Sequence, residues 1–179
     1  MSRPRGWRDS CQTYKPQMCF LADKYTIAIM KDIILEWRGP FGIRDTIPKE
    51  HRGWPGIYLV EAETEILYVG IAETEGAHKR SKDHFRGQGD SIGRWILQGR
   101  DASQIHIWVA RKSWNKLLID AEGLLIYSLK PVANVEGVDS YHGKPICIKN
   151  MGSYPERLTK EIQYNVDRSK GPTSSSKVQ

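Results

Sequence analysis

Cysteine is scarce in this chain, with three among 179 residues: Cys11, Cys19 and Cys147. They show no CxxC pair and no Cys/His spacing, which excludes a sequence-evident structural zinc site and a disulfide framework. Free thiols in a reducing compartment, the cytoplasm, are the expectation. Long apolar runs are also missing. None approaches the roughly eighteen residues a membrane helix requires, so no membrane partner is expected. Met1 to Gln12 is basic and polar with no apolar h-region, which argues against a secretory signal. Internal repeats are absent. Residues 168–179 hold too few apolar groups to order themselves and are expected to be a disordered tail.

Positive charge is plentiful. A net charge of +6 and a pI near 9.2 favour a polyanionic partner. Arg3, Arg5 and Arg8 crowd one end. Lys79, Arg80, Lys82, Arg86, Arg94 and Arg100 form a second group, diluted only by Asp83, Asp90 and Asp101. Such a concentration suits a surface that tracks phosphates, and it equally suits a solvated helix face.

Periodicity and breakers divide the chain. Leu21, Tyr25, Ile29 (or Met30), Ile33 and Trp37 recur near every four residues, which predicts a helix ended by Gly39-Pro40. Phe41 to Pro55 reads as a surface linker. Ile57–Val60 and Ile66–Val69 are strand-like runs around polar Glu61–Glu65 and predict a hairpin. If Tyr58 and Tyr68 share a sheet face by lying opposite each other, the loop is odd-numbered, and a five-residue loop centred on Glu63 is expected. A helix over Gly76–Arg86 follows. Asp90 or Ser91 can cap a short helix through Leu97. Gln104–Ala110 alternates as a third strand, and Ser113 can cap a helix from Trp114 to Leu129 that Pro131 stops. Tyr141–Ile148 reads as a hairpin or edge strand. The expected fold is α/β (α+β): a small three-stranded mixed or antiparallel sheet flanked by helices. Residues 54–135 form its core, 1–53 an N-terminal extension with one helix, and 136–167 a C-terminal extension.

The chemistry concentrates in the core. Gly56-Ile57-Tyr58 precedes Tyr68-Val69-Gly70 by ten residues, and Arg80 and His84 follow one helical turn apart. Glu122 interrupts an apolar helical run, where a carboxylate is costly unless it is paired or holds a cation. Asn134 comes behind Pro131. Asp120 competes with Glu122 but stands about 200° around the helix from it, so the two do not easily share a metal; Asp120 is expected to be solvated. Taken singly, a strand tyrosine is usually core, an arginine usually surface and a lone histidine usually structural.

In this order and spacing, from about Trp54 to Asn134, the constellation resembles the GIY-YIG nuclease superfamily, whose members cut DNA phosphodiester bonds with a divalent metal. The resemblance implies a metal-dependent endodeoxyribonuclease using Mg²⁺ or Mn²⁺. Tyr58 would be general base or water positioner, Arg80 the phosphate and transition-state stabiliser, and Glu122 the metal anchor. Tyr68 and His84 would assist, and Asn134 would hold the centre together. Two departures stand out. The second motif reads Tyr-Val-Gly in place of Tyr-Ile-Gly, and the span from Gly70 to Arg80 implies a small insertion around Glu73 to Ala77. No separate DNA-binding module, second catalytic domain or RING is evident in the sequence. The resemblance therefore narrows to a compact type II restriction endonuclease, reading double-stranded DNA as a two-fold homodimer. Base readout would fall to Arg3–Arg8, Gln88, Arg94 or Lys144. The alternatives are a phage, mobile-element or repair nuclease of the superfamily, and a catalytically silent nucleic-acid-binding module on the same fold.

Overall fold

The computed structural model describes residues 30–46, 48, 53–63, 65–72, 76–86, 90–112 and 117–164. Six strands form one sheet: β1 (Lys31–Gly42), β2 (Gly56–Ala62), β3 (Glu65–Ala72), β4 (Ile105–Lys112), β5 (Ile146–Gly152) and β6 (Glu161–Tyr164). Three α-helices accompany them: α1 (Ala77–Asp83), α2 (Ser91–Leu97) and α3 (Leu118–Leu129). The strand order is β3-β2-β4-β1-β5-β6, with every neighbouring pair antiparallel except β1 and β5. This corrects the expected three-stranded sheet. The hairpin and third strand of the expectation are β2, β3 and β4, and three further strands from the flanking segments join them edge to edge.

The largest single correction is β1. A spacing of four residues fits a helix, but four is also twice the strand period of two. The deciding positions lie between the ones that suggested a helix. Leu35 is buried along with Ile33 and Trp37, whereas Asp32, Ile34 and Glu36 are exposed, which is strict alternation. Gly39-Pro40 does not end the element. The ladder to β4 only shifts register between Arg38 and Phe41, a bulge that accommodates a residue without an amide donor. Phe41 and Gly42 consequently belong to β1, not to a linker. The earlier part of that expected helix, Leu21 to Ile29, lies outside the described residues. So do residues 73–75 of the expected insertion, residues 113–116 and the 168–179 tail.

The C-terminal segment differs from expectation in a related way. Ile146–Gly152 runs parallel to β1 inside the sheet, and β6 supplies the edge beyond it. A parallel neighbour requires a long crossover, and here the whole β2-to-α3 region serves as one. No short-range turn signal marks such a pairing.

Both faces of the β3-β2-β4 half are covered. Ile57, Leu59, Trp108 and Ala110 join Leu118, Ala121, Leu124 and Leu125 of α3 in one apolar cluster, with Ile33, Leu35 and Trp37 of β1. Tyr58, Val60, Ile105, Ile107 and Val109 join Ala77 of α1 and Ile96 of α2 in the other. That is why all seven residues of β2 are buried and its sequence shows no polar alternation. Each large side chain so enclosed contributes about 1.5–3 kcal/mol. No helix among the described residues is long and apolar enough to cross a membrane.

Candidate active site

The hairpin reaches a common face for its tyrosines by an unexpected route. Tyr58 pairs with Gly70 and Val60 with Tyr68, so the two tyrosines are diagonal neighbours. The ladder ends at Ala62↔Glu65, which leaves a two-residue connection and not the expected five-residue loop. Alone, that connection would put Tyr58 and Tyr68 on opposite faces, because side chains alternate with period two. A one-residue slip at Leu67, between Val60↔Tyr68 and Glu61↔Ile66, restores the parity. The two rings then stand 6.0 Å apart between centroids. Gly70 leaves room for them: a Cβ there would come within 2.5 Å of the Tyr58 hydroxyl and 2.8 Å of the Tyr68 ring.

His84, 2 % exposed, caps the C-terminal end of α1 and lies against both tyrosines, with ring centroids 5.7 Å from Tyr58 and 5.4 Å from Tyr68. Its Nε2 is 2.7 Å from the Tyr58 hydroxyl. Its Nδ1 makes a short contact with Asp90 Oδ2. Asp90 caps α2 at the same time, its Oδ1 accepting from the Gly93 amide at 2.8 Å. A continuous chain of hydrogen bonds therefore links a carboxylate, an imidazole and a phenol.

Arg80 is exposed on α1 and Glu122 half-buried on α3. Both charges act on the Tyr58 hydroxyl. Burial pushes that phenol far above its ordinary value and Tyr68 adds to the effect; Arg80 pulls it back, and Glu122 raises it again. Tyr68 is raised by burial first and by Glu122 next. Burial also pulls the Asp90 carboxyl upward, but the Gly93 amide and His84 outweigh it and hold the group below its ordinary value. Tyr58 is thus a protonated phenol, and its only route to acting as a base is to hand its proton to a neighbour.

Asn134 acts on backbone. Its Oδ1 accepts from the Val69 amide and its Nδ2 donates to the Val69 carbonyl, both at 2.9 Å, and the Ala133 amide donates to the Leu67 carbonyl at 2.9 Å. The segment after α3 therefore closes the free edge of β3 beside Tyr68. Asp120 is not simply solvated. Its Oδ1 accepts from the Lys144 amide at 3.1 Å, and Tyr141, pushed up by burial first, is raised next by the Asp120 charge, whereas Glu122 acts on Tyr58 and Tyr68.

All six expected residues thus stand around β2 and β3: Tyr58, Tyr68 and His84 in ring contact, Asn134 on the adjoining backbone, and Arg80 and Glu122 acting through their charge. The sequence treated Asp90 only as a helix cap. Its signal was a carboxylate six residues beyond His84, behind a Gly-Gln-Gly stretch, and the cap role alone was enough to explain it. Arg3–Arg8 and Gln88, offered for base readout, lie outside the described residues. Exposed Arg94 sits on α2 beside Trp95, over whose ring Arg100 stacks at 5.2 Å.

A divalent cation is the group to test against this donor set. No cluster of three or more His, Cys, Asp or Glu exists among the described residues, so a zinc-type cage is not formed by them. Magnesium and manganese accept one or two carboxylates and keep their waters, and Glu122, its charge felt by both phenols, fits that requirement. No protein-family model, curated protein or solved structure matches the chain.

Proposed function

We propose that the chain is a metal-dependent endonuclease of the GIY-YIG type that hydrolyses phosphodiester bonds in double-stranded DNA in the cytoplasm. The observation that carries this reading is the 2.7 Å contact of the Tyr58 hydroxyl with His84 Nε2, under the opposed charges of Arg80 and Glu122. A buried phenol set against an imidazole nitrogen, an arginine and a carboxylate has the parts that phosphodiester hydrolysis requires.

Tyr58 releases its proton to His84 Nε2 and takes one from the attacking water, so the water arrives at phosphorus as hydroxide-like oxygen. Arg80, always charged and fork-shaped, pairs with the non-bridging oxygens and stabilises the pentacovalent transition state. Tyr68 orients the attacked phosphate, and Asn134 holds the strand that carries Tyr68. A divalent cation on Glu122 would supply Lewis-acid stabilisation of the charge that develops on the phosphate and the leaving oxygen.

The reading extends to a restriction-type enzyme acting as a two-fold dimer. In its support, the described flanking strands β1, β5 and β6 join the same sheet and form no separate DNA-binding module. Incubation of the purified protein with supercoiled and genomic DNA, with Mg²⁺ or EDTA, tests it alongside Glu122→Ala. Discrete metal-dependent fragments that vanish in the variant are expected. Smearing or nicking lost in the variant keeps the nuclease and removes the restriction type. Intact DNA across Mg²⁺, Mn²⁺ and a range of pH overturns the nuclease reading in favour of a binding module.

A further inference from the structure

We propose that Asp90 is a positioning residue for the reaction: by accepting from His84 Nδ1–H it fixes the imidazole tautomer whose Nε2 lone pair faces the Tyr58 hydroxyl. The inference rests on the nuclease reading for its consequence in catalysis, but its structural half stands by itself.

A neutral imidazole carries one proton, on either nitrogen, and which nitrogen holds it decides what Tyr58 can do. With the proton on Nδ1, Nε2 is an acceptor and the Tyr58 O–H donates to it, the arrangement needed to draw a proton off Tyr58. With the proton on Nε2, Tyr58 becomes the acceptor and the transfer has no recipient. The ring is 2 % exposed, packs against both Tyr58 and Tyr68, and has both nitrogens engaged, Nε2 by Tyr58 and Nδ1 by Asp90, which opposes its turning. Asp90 decides it. An ionised carboxylate only accepts, so Nδ1 must donate.

Helix capping alone does not explain an aspartate here. A cap needs one oxygen, and Ser, Thr or Asn would serve as well. Oδ1 does the capping, on the Gly93 amide at 2.8 Å, and Oδ2 is left over for His84. The helix start is also pressed against the histidine's own backbone. A Cβ at position 93 would lie 1.7 Å from the His84 carbonyl oxygen, so glycine is what permits the approach. The cap thereby anchors the carboxylate at a fixed distance from the imidazole, as a third group orients the base in hydrolytic triads.

Asp90→Asn is the discriminating change. With its oxygen still capping Gly93, its amide nitrogen faces Nδ1 as a donor, and His84 must move its proton to Nε2. Asp90→Ser keeps a cap but cannot reach the ring. Nitrogen-15 spectra of His84 are expected to show the Nδ1–H tautomer in the wild type and the Nε2–H tautomer in Asp90→Asn. DNA cleavage by Asp90→Asn is expected to fall about 10³- to 10⁴-fold, the scale of a wrong-tautomer variant. Asp90→Ser, with wild-type circular dichroism and melting, should lose activity while retaining no tautomer preference imposed from position 90. A pure capping role predicts wild-type rates and an unchanged tautomer in both variants, and that result would overturn the proposal. If the wild type cuts no DNA, the nuclease reading fails, while the spectra still decide what Asp90 does to His84.

Discussion

Two buried polar networks in this molecule invite comparison, because they use similar materials to opposite ends. In one, the Trp37 indole N–H donates to Asn150 Oδ1 at 2.7 Å, and Asn150 Nδ2 donates to the Thr159 carbonyl at 2.8 Å. Trp37 is 0 % and Asn150 2 % exposed. None of these groups can gain or lose a proton near neutrality, and the two side chains that meet are both buried. In the other, Asp90, His84 and Tyr58 are all titratable, and its outer end, the Asp90 side chain, reaches solvent. The first ties β1 to the β5–β6 end of the sheet. The second has a direction, from a phenol inward to a carboxylate outward, along which a proton can move. Burial of polar groups is common to both; titratability distinguishes the one suited to chemistry.

The sharpest way to break this contrast is Tyr58→Phe. Removal of a proton-transferring hydroxyl should lower DNA cleavage about 1,000-fold, measured as single-turnover rate, while the fold survives. A variant that cuts normally would make the second network as inert as the first. Gly70→Ala comes next. The new methyl displaces the Tyr58 and Tyr68 rings, and a misplacement of that order costs about 100-fold in rate. The same assay checks it, with a melting curve to show that the sheet persists.

Asn150→Ala probes the Trp37–Asn150 network and should behave in the reverse sense. It strands the buried Trp37 N–H, a cost of about 1–3 kcal/mol in urea unfolding, with cleavage per folded molecule unchanged. A fall in turnover with intact stability would mean the two networks are not separable in function.

The smallest effect is in the pH dependence of stability. Tyr58 and Tyr68 have raised values in the folded state, so their contribution is complete below the unfolded value of about 10 and is lost as pH rises through the folded value. Asp90 is lowered, so its contribution is complete above about 3.9 and is lost as pH falls through its folded value. Urea midpoints between pH 9 and 11 should therefore decline in the wild type and less steeply in Tyr58→Phe. In Asn150→Ala the curve should shift downward in parallel, since that network does not titrate.

The sequence revealed local features well and long-range pairings poorly. The strand runs at Ile57–Val60 and Ile66–Val69, the Asp90 cap and the end of α3 before Pro131 all depend on neighbours in the chain, and all are present. The common face of Tyr58 and Tyr68 was expected, but through loop length, whereas the bulge at Leu67 provides it. A bulge has no residue signature in Ile66-Leu67-Tyr68. The helix expected through Trp37 failed because a four-residue spacing satisfies two periods, and only the burial of Leu35 separates them. The place of β5 beside β1 depends on contacts remote in sequence, and no local rule reports those. Tyr58, Tyr68 and the four residues around them could be named together from their order and spacing through the resemblance, whereas the link between Asp90 and His84 needed coordinates.

The central position of β1 has a bearing on how the chain becomes a protein at all. Trp37 and its partner Asn150 are 113 residues apart, and β4 and β5, the neighbours of β1, both follow it at long range in the chain, so the strand waits first for β4 and then for β5. Long loops must close before these contacts repay the lost chain entropy, which makes such folds slow. Until then Ile33, Leu35 and Trp37 form an exposed apolar strand. Refolding from urea should accordingly be limited by capture of this strand between β4 and β5, and aggregation should compete at that step.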